Sequence, residues 1–225
     1  SVPGADVSAS RAWLNLGEIA EAYNDPGSFT AFLGWAWSAT PGGANLHRVI
    51  ITDANAEQAK LFRPFGSNDS PFPDDLWAWL EKTESEIDAH FIAIPHNSNI
   101  SRGTMFSRET MRGNKINEGY AESRMRWEPI VEITQIKGDS ETHPDLSPDD
   151  RFANFEKYPW WILRDPVNHY NATKADFIRP ALRTGLEIEH EVGVNPFRFG
   201  LIGSTDSHTS LASAEEPNFW GKKSK

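Results

Sequence analysis

Apolar and polar positions alternate along this chain in two rhythms, and together they predict a mixture of strands and helices. A polar opening holds one helix, roughly Arg11 to Tyr23, which stops at Asn24-Asp25-Pro26-Gly27. "SFTAFLGWAWSA" then reads as a buried strand, "TPGGAN" as a turn and "LHRVIITD" as a second strand. With Gly42 and Gly43 between them, the two strands read as a hairpin. Residues 54–73 are rich in Pro, Gly, Asn and Ser and read as loop. Pro73-Asp74-Asp75 opens a helix with Leu76, Trp77 and Leu80 on one stripe and acids in its first turn.

Further on, "HFIAIPHN" predicts a short buried strand, "GYAESRMRW" a helix and "EPIVEITQIKG" a partly buried strand. A Pro- and Asp-rich excursion runs from Asp139 to about Asn171. A helix over about Lys174 to Val192 follows, with Phe177, Ile178, Ala181, Leu182 and Ile188 on its apolar side and Pro180 near its start. The apolar run "RFGLIG" then gives way to "STDSH". About five strands alternating with helices after an initial hairpin make an α/β chain, and five strands fall short of a closed barrel. Residues 1–225 read as a single domain, with 1–28 as lead-in helix and linker and 29–225 as the main body.

Composition narrows the classes. Hydrophobic residues make up 38% of the chain, enough for a core, and no apolar run reaches the length of a bilayer span. Nine Trp and thirteen Phe need burial, which argues against disorder. A net charge of -10 disfavours nucleic acid as the main partner, although a bound metal can still draw a small anion to an acidic protein. There is no cysteine, so disulfides and thiolate metal sites are excluded, and any metal must sit on His, Asp and Glu. Nothing at the start reads as a signal peptide, and the first residue, Ser1, fits a processed or truncated chain. The compartment stays open, periplasm as much as cytoplasm.

Three polar clusters follow directly on predicted strands: His96-Asn97, then "KGDSETHP" with His143 after Glu132 and Lys137, then Asp206 and His208. Strand ends are where α/β folds gather functional groups. Asp206 and His208, two apart on extended chain, point to one face. Neutral imidazole and carboxylate at such points suit divalent ions, which lower the pKa of bound water and screen a phosphate ester under attack.

Each candidate also has a plainer reading. His96 after Pro95 is equally a hydrogen-bonded turn histidine, His143 an exposed loop residue, and Asp206 with His208 a simple hydrogen-bonded pair. His47 and Arg48 are either substrate contacts or a cross-strand surface pair. Glu132 lies inside a strand pattern, where an unpaired acid is costly; a ligand or an Arg partner would relieve it. His90, His169 and His190 have no supporting company. There is no G-x-S-x-G elbow and no P-loop pattern.

"GSTDSHT" resembles the final metal motif of the PHP (polymerase and histidinol phosphatase) superfamily, and "AIPHN" its mid-chain histidine motif. Together with "FLGWAWSATPGGANLHR" and "EPIVEITQIKGDSETHP", these motifs resemble a bacterial PHP-like family that carries only a domain-of-unknown-function label, from about Phe29 to Lys222. The resemblance implies a distorted (β/α)7-type barrel, two or three divalent ions (Zn, Mn or Fe) and phosphoesterase-like hydrolysis by metal-bound hydroxide. Carried over, His96, Asp206 and His208 match metal motifs, with His143 and Glu132 as further ligands; His47, Arg48 and Asn97 are candidates for orienting a small anionic substrate such as a phosphate ester.

Two departures stand out. The family opens with His-x-His on its first strand, whereas this chain has no His-x-His and no histidine before His47. Ala36 stands where a strand glutamate is expected. The first departure implies that the chain is the C-terminal part of a barrel whose N-terminal strands come from a missing segment or a complementary chain. The second leaves a competing expectation: a non-catalytic binding module with an incomplete site. Hydrolysis of amides or sulfate esters at the same metal site is a third.

Overall fold

The computed structural model of the chain describes residues 5–161 and 169–206. Helix α1 (Ala5–Tyr23) begins earlier than its apolar pattern suggests. It docks through Trp13, which is 7% exposed and donates its indole N–H to Ala59 O at 2.9 Å, through the buried Gly17 and through Glu21, which accepts from the Ala56 amide at 2.9 Å. Ala59 belongs to α2 (Ala56–Ala59), a single turn inside the stretch expected to be loop. Its start is fixed by a reciprocal cap between Asn55 and Gln58.

Strands β1 (Leu33–Trp37) and β2 (Arg48–Thr52) pair antiparallel, as the hairpin reading expected, across a connection turned at Pro41–Gly43. Gly42 and Gly43 both take positive φ there (57° and 83°), backbone that a side chain resists. β3 (Phe91–Pro95) adds antiparallel to β2 with Arg48 opposite Pro95. Between them α3 (Pro73–Ile87) starts at Pro73 with Asp74 and Asp75 in its first turn, and buries Leu76, Trp77, Leu80 and Ile87. It stops at Asp88 in the left-handed region (φ 52°).

The second half holds α4 (Glu118–Trp127), capped by the Asn117 side chain, then β4 (Ile130–Gln135) and β5 (Gly138–Asp139). α5 (Ile178–Val192) begins four residues later than expected, because Thr173 and Asp176 close a short 3-10 turn before it. Pro180 then sits in its first turn, where no backbone N–H is needed. β6 (Gly200–Gly203) pairs parallel with β4, and β5 pairs antiparallel on β4's other side.

The chain is therefore mixed α/β, with two three-stranded sheets ordered β1-β2-β3 and β5-β4-β6 and no closed barrel among the described residues. β3 and β4 lie against each other and join the halves. One main core runs through both, from Trp37, Ile50 and Trp77 to Trp127, Val131 and Phe197, all 2% exposed or less. No described helix is long and apolar enough to cross a membrane.

Candidate functional site

The polar residues that follow β3 and β4 come together where these strands end. His96 continues β3 and its amide donates to His47 O at 3.3 Å. The Asn45 side chain donates to His96 O (2.8 Å) and Asn97 O (3.2 Å), which holds Asn97 in the left-handed region (φ 52°). His47 and His96 thus lie side by side with ring centres 5.6 Å apart, and His47 Nε2 meets Thr40 Oγ1 at 3.1 Å. Burial lowers both imidazoles to a pKa of about 4, with the Lys137 and Arg48 charges adding to the effect. Both rings are neutral at physiological pH.

From β4 and the turn after it come Glu132, Gln135 and Lys137; from the end of β6 comes Asp206. Gln135 is the hub. Its Nε2 reaches His96 Nδ1 at 3.2 Å and Asp206 Oδ2 at 2.8 Å, while its Oε1 accepts from the Lys137 amide at 3.0 Å. Lys137 forms an ion pair with Asp206. Burial works against ionising Asp206, but the Lys137 hydrogen bond and charge outweigh it and hold this carboxyl below its usual value. Glu132, 6% exposed, goes the other way: burial pushes it up to about 8, against hydrogen bonding from Gln135, and the Asp206 charge raises it further.

Several buried polar atoms in this region have no hydrogen-bond partner among the described residues: His96 Nε2, Glu132 Oε1, Thr134 Oγ1, Ser98 Oγ and both ends of the Asn97 amide. An unpaired buried group costs about 1–3 kcal/mol, so a cluster of them is a candidate place for a water, an ion or a ligand.

Of the candidates read from the sequence, His47, His96, Asn97, Glu132 and Asp206 are gathered here. His143 is not. Its Nδ1 accepts from the Asp145 amide at 3.3 Å, and its ring packs on Tyr170 and Phe177 beside a small depression lined by Asp139 and Lys157. Arg48 is 1% exposed, with Nε on Glu128 Oε1 at 2.8 Å and Nη1 on Leu46 O. Its guanidinium is committed to the core. Ala36 is exposed on β1. His208 lies outside the described residues.

Gln135 as hub escaped the sequence reading. It stands two before Lys137 just past a strand end, the same spacing that singled out Asp206 and His208.

The donor types present, two neutral imidazoles and the carboxyl groups of Asp206 and Glu132, the latter with one orphaned oxygen, are types that divalent ions take. Their assembly is incomplete, since no group of three or more His, Asp or Glu among the described residues is placed to hold a metal.

These features define a mixed α/β protein with a buried, partly unsatisfied polar cluster at its strand ends. The chain belongs to the DUF3604 family, described as a protein of unknown function, whose family model matches residues 2–225. No curated protein and no solved structure matches it.

Proposed function

We propose that this chain is part of a PHP-like metal-dependent hydrolase acting on a small anionic ester, a phosphoesterase. One observation carries the reading: a buried imidazole and a buried carboxyl, His96 and Glu132, each keep an unpartnered atom beside Asp206 and around one amide, Gln135. Glu132 and Asp206 would hold the ion, with His208 as the further ligand the PHP resemblance implies. The ion would supply Lewis-acid activation of water and screening of the ester's charge.

The chain's own residues do the rest. Burial keeps bulk water from the cluster. Asn97, fully buried with a free amide, orients the ester oxygens. Lys137, 18% exposed and paired with Asp206, would offer its ammonium to the substrate's negative charge. A larger barrel-like sheet, completed by a further segment or chain, is supported by β6, a parallel edge strand whose four residues are all exposed.

Metal content and hydrolysis of an activated phosphodiester, measured on the wild type and Asp206→Asn, test the proposal. Bound divalent metal and turnover are expected in the wild type, both falling at least tenfold in the variant. A wild type that binds no more metal than the variant sinks it.

The Lys137–Asp206 pair favours a second reading. A lysine already neutralises the carboxylate, which suits a non-catalytic module that binds anions. Phosphate binding by a folded protein without metal or turnover would select that reading.

A further inference from the structure

Gln135 can be oriented without ambiguity, although amide oxygen and nitrogen are alike in shape. Its Oε1 faces the Lys137 amide N–H and its Nε2 faces the Asp206 carboxylate. Rotating the amide by half a turn would set oxygen against carboxylate and NH2 against N–H, losing both bonds at once. The atom that meets His96 Nδ1 is therefore an NH2 group, which only donates. Nδ1 must accept, so it carries no proton.

With Nδ1 bare the ring cannot carry two protons, so it is neutral. A neutral imidazole has one proton, and here it resides on Nε2. Nε2 is the buried atom without a partner, on a side chain 6% exposed. The site thus presents a buried N–H with no acceptor among the described residues. A metal ion cannot use that atom, since its lone pair is tied up in the ring and its in-plane position holds hydrogen. An oxygen acceptor can.

We infer that Gln135 is the positioning residue of this site, and that His96, held by it with the proton on Nε2, donates a hydrogen bond to an anionic oxygen of the ligand instead of ligating the metal. The inference rests on the reading of the cluster as a hydrolytic site. The ligand it calls for is an oxyanion, a phosphoryl group or its like. The Asn97 amide, next along the chain and fully buried, supplies a second unpartnered donor, and Lys137 supplies the charge. Any metal's ligands among the described residues are then left to the carboxyl groups of Glu132 and Asp206.

Long-range proton–nitrogen correlation spectra of the full chain labelled with 15N-histidine decide this, with the His96 ring assigned through its own backbone. In the wild type, Nδ1 is expected at a pyridine-like shift and Nε2 at a pyrrole-like shift, and inorganic phosphate is expected to move the Nε2 proton downfield. In Gln135→Glu the new carboxylate accepts from the ring, so the proton is expected to move to Nδ1; a purely structural glutamine would not shift it. A wild-type ring with its proton on Nδ1 overturns the inference. So does zinc, added separately, if it strips the proton from Nε2 and gives that atom a metal-bound shift. If zinc binds nowhere while the Nε2–H form is seen, the metal-dependent reading fails and the assignment of His96 stands. The wild-type shifts decide the tautomer even if Gln135→Glu does not fold.

Discussion

Glu128 and Glu132 stand four residues apart, one just before β4 and one within it, and the molecule treats them in opposite ways. Glu128, 1% exposed, accepts from Arg48 Nε at 2.8 Å and Trp77 Nε1 at 3.1 Å. Arg124 Nε lies 3.1 Å from its other oxygen, an ionic contact without hydrogen-bond alignment. Arg124 also donates to Met105 O, and Arg48 to Leu46 O. Here two buried guanidiniums share one carboxylate, and strands and helices from both halves are tied by it. Glu132, 6% exposed, has no cation committed to it, and one of its oxygens meets nothing. A buried carboxylate that ties the fold together is surrounded by cations, whereas burial raises the pKa of Glu132 and leaves one of its oxygens unpartnered among the described residues.

The same substitution at both positions tests this contrast and should give the largest effect. Glu128→Gln leaves two buried guanidiniums without a counter-charge and is expected to cost about 3–5 kcal/mol in urea unfolding. Glu132→Gln replaces a carboxyl that burial already keeps largely protonated at neutral pH. It should stay within about 1 kcal/mol of wild type while removing any divalent-ion binding. Equal losses of stability would make Glu132 a structural residue and end the comparison.

Acidification should act through the unsatisfied cluster. His47 and His96 titrate near 6.5 when unfolded and near 4 when folded. Between those values the unfolded chain binds more protons, so stability is complete above pH 6.5 and falls as pH drops towards 4. His96 alone accounts for about 3 kcal/mol of that loss at most. Urea midpoints at pH 7 and pH 4.5 should differ less in His96→Gln than in the wild type. An unchanged difference would show that the ring is not buried neutral.

How far the sequence announced these features follows from how local their causes are. Pro73-Asp74-Asp75 starts a helix through capping and charge within one turn, and "TPGG" turns the chain through glycine φ angles; both were readable. That His96 and Asp206 each follow a strand end was readable, because strand ends are local properties. The partner of Arg48 was not, since Glu128 lies 80 residues away and its position depends on how α4 and β4 pack. The same holds for His143, whose ring is covered by Tyr170 from the far end of the excursion and by Phe177 from beyond it. Gln135 was overlooked for another reason: an uncharged side chain gives no signal until the groups on both of its ends are known.

The smallest expected effect lies on β6 and carries the contrast into the sheet itself. Val131 and Leu201 are register partners across the parallel pair β4–β6, yet Val131 is fully buried and Leu201 is 51% exposed. Ile202, on the opposite face of the strand, is 43% exposed. Parallel strands are ordinarily covered on both faces, and among the described residues β6 is covered on neither. If the strand is as open in solution, Leu201→Ser loses little buried area and should shift the unfolding free energy by no more than ~0.5 kcal/mol. Val131→Ala, which leaves a void in the core, should cost about 2 kcal/mol. A Leu201→Ser loss above about 1 kcal/mol is too large for a half-exposed side chain. It would mean that another segment or a second molecule covers β6, and that the strand beside the candidate site is interior to a larger sheet. Repeating the measurement at tenfold lower protein concentration separates the two, because only cover by a second molecule weakens on dilution.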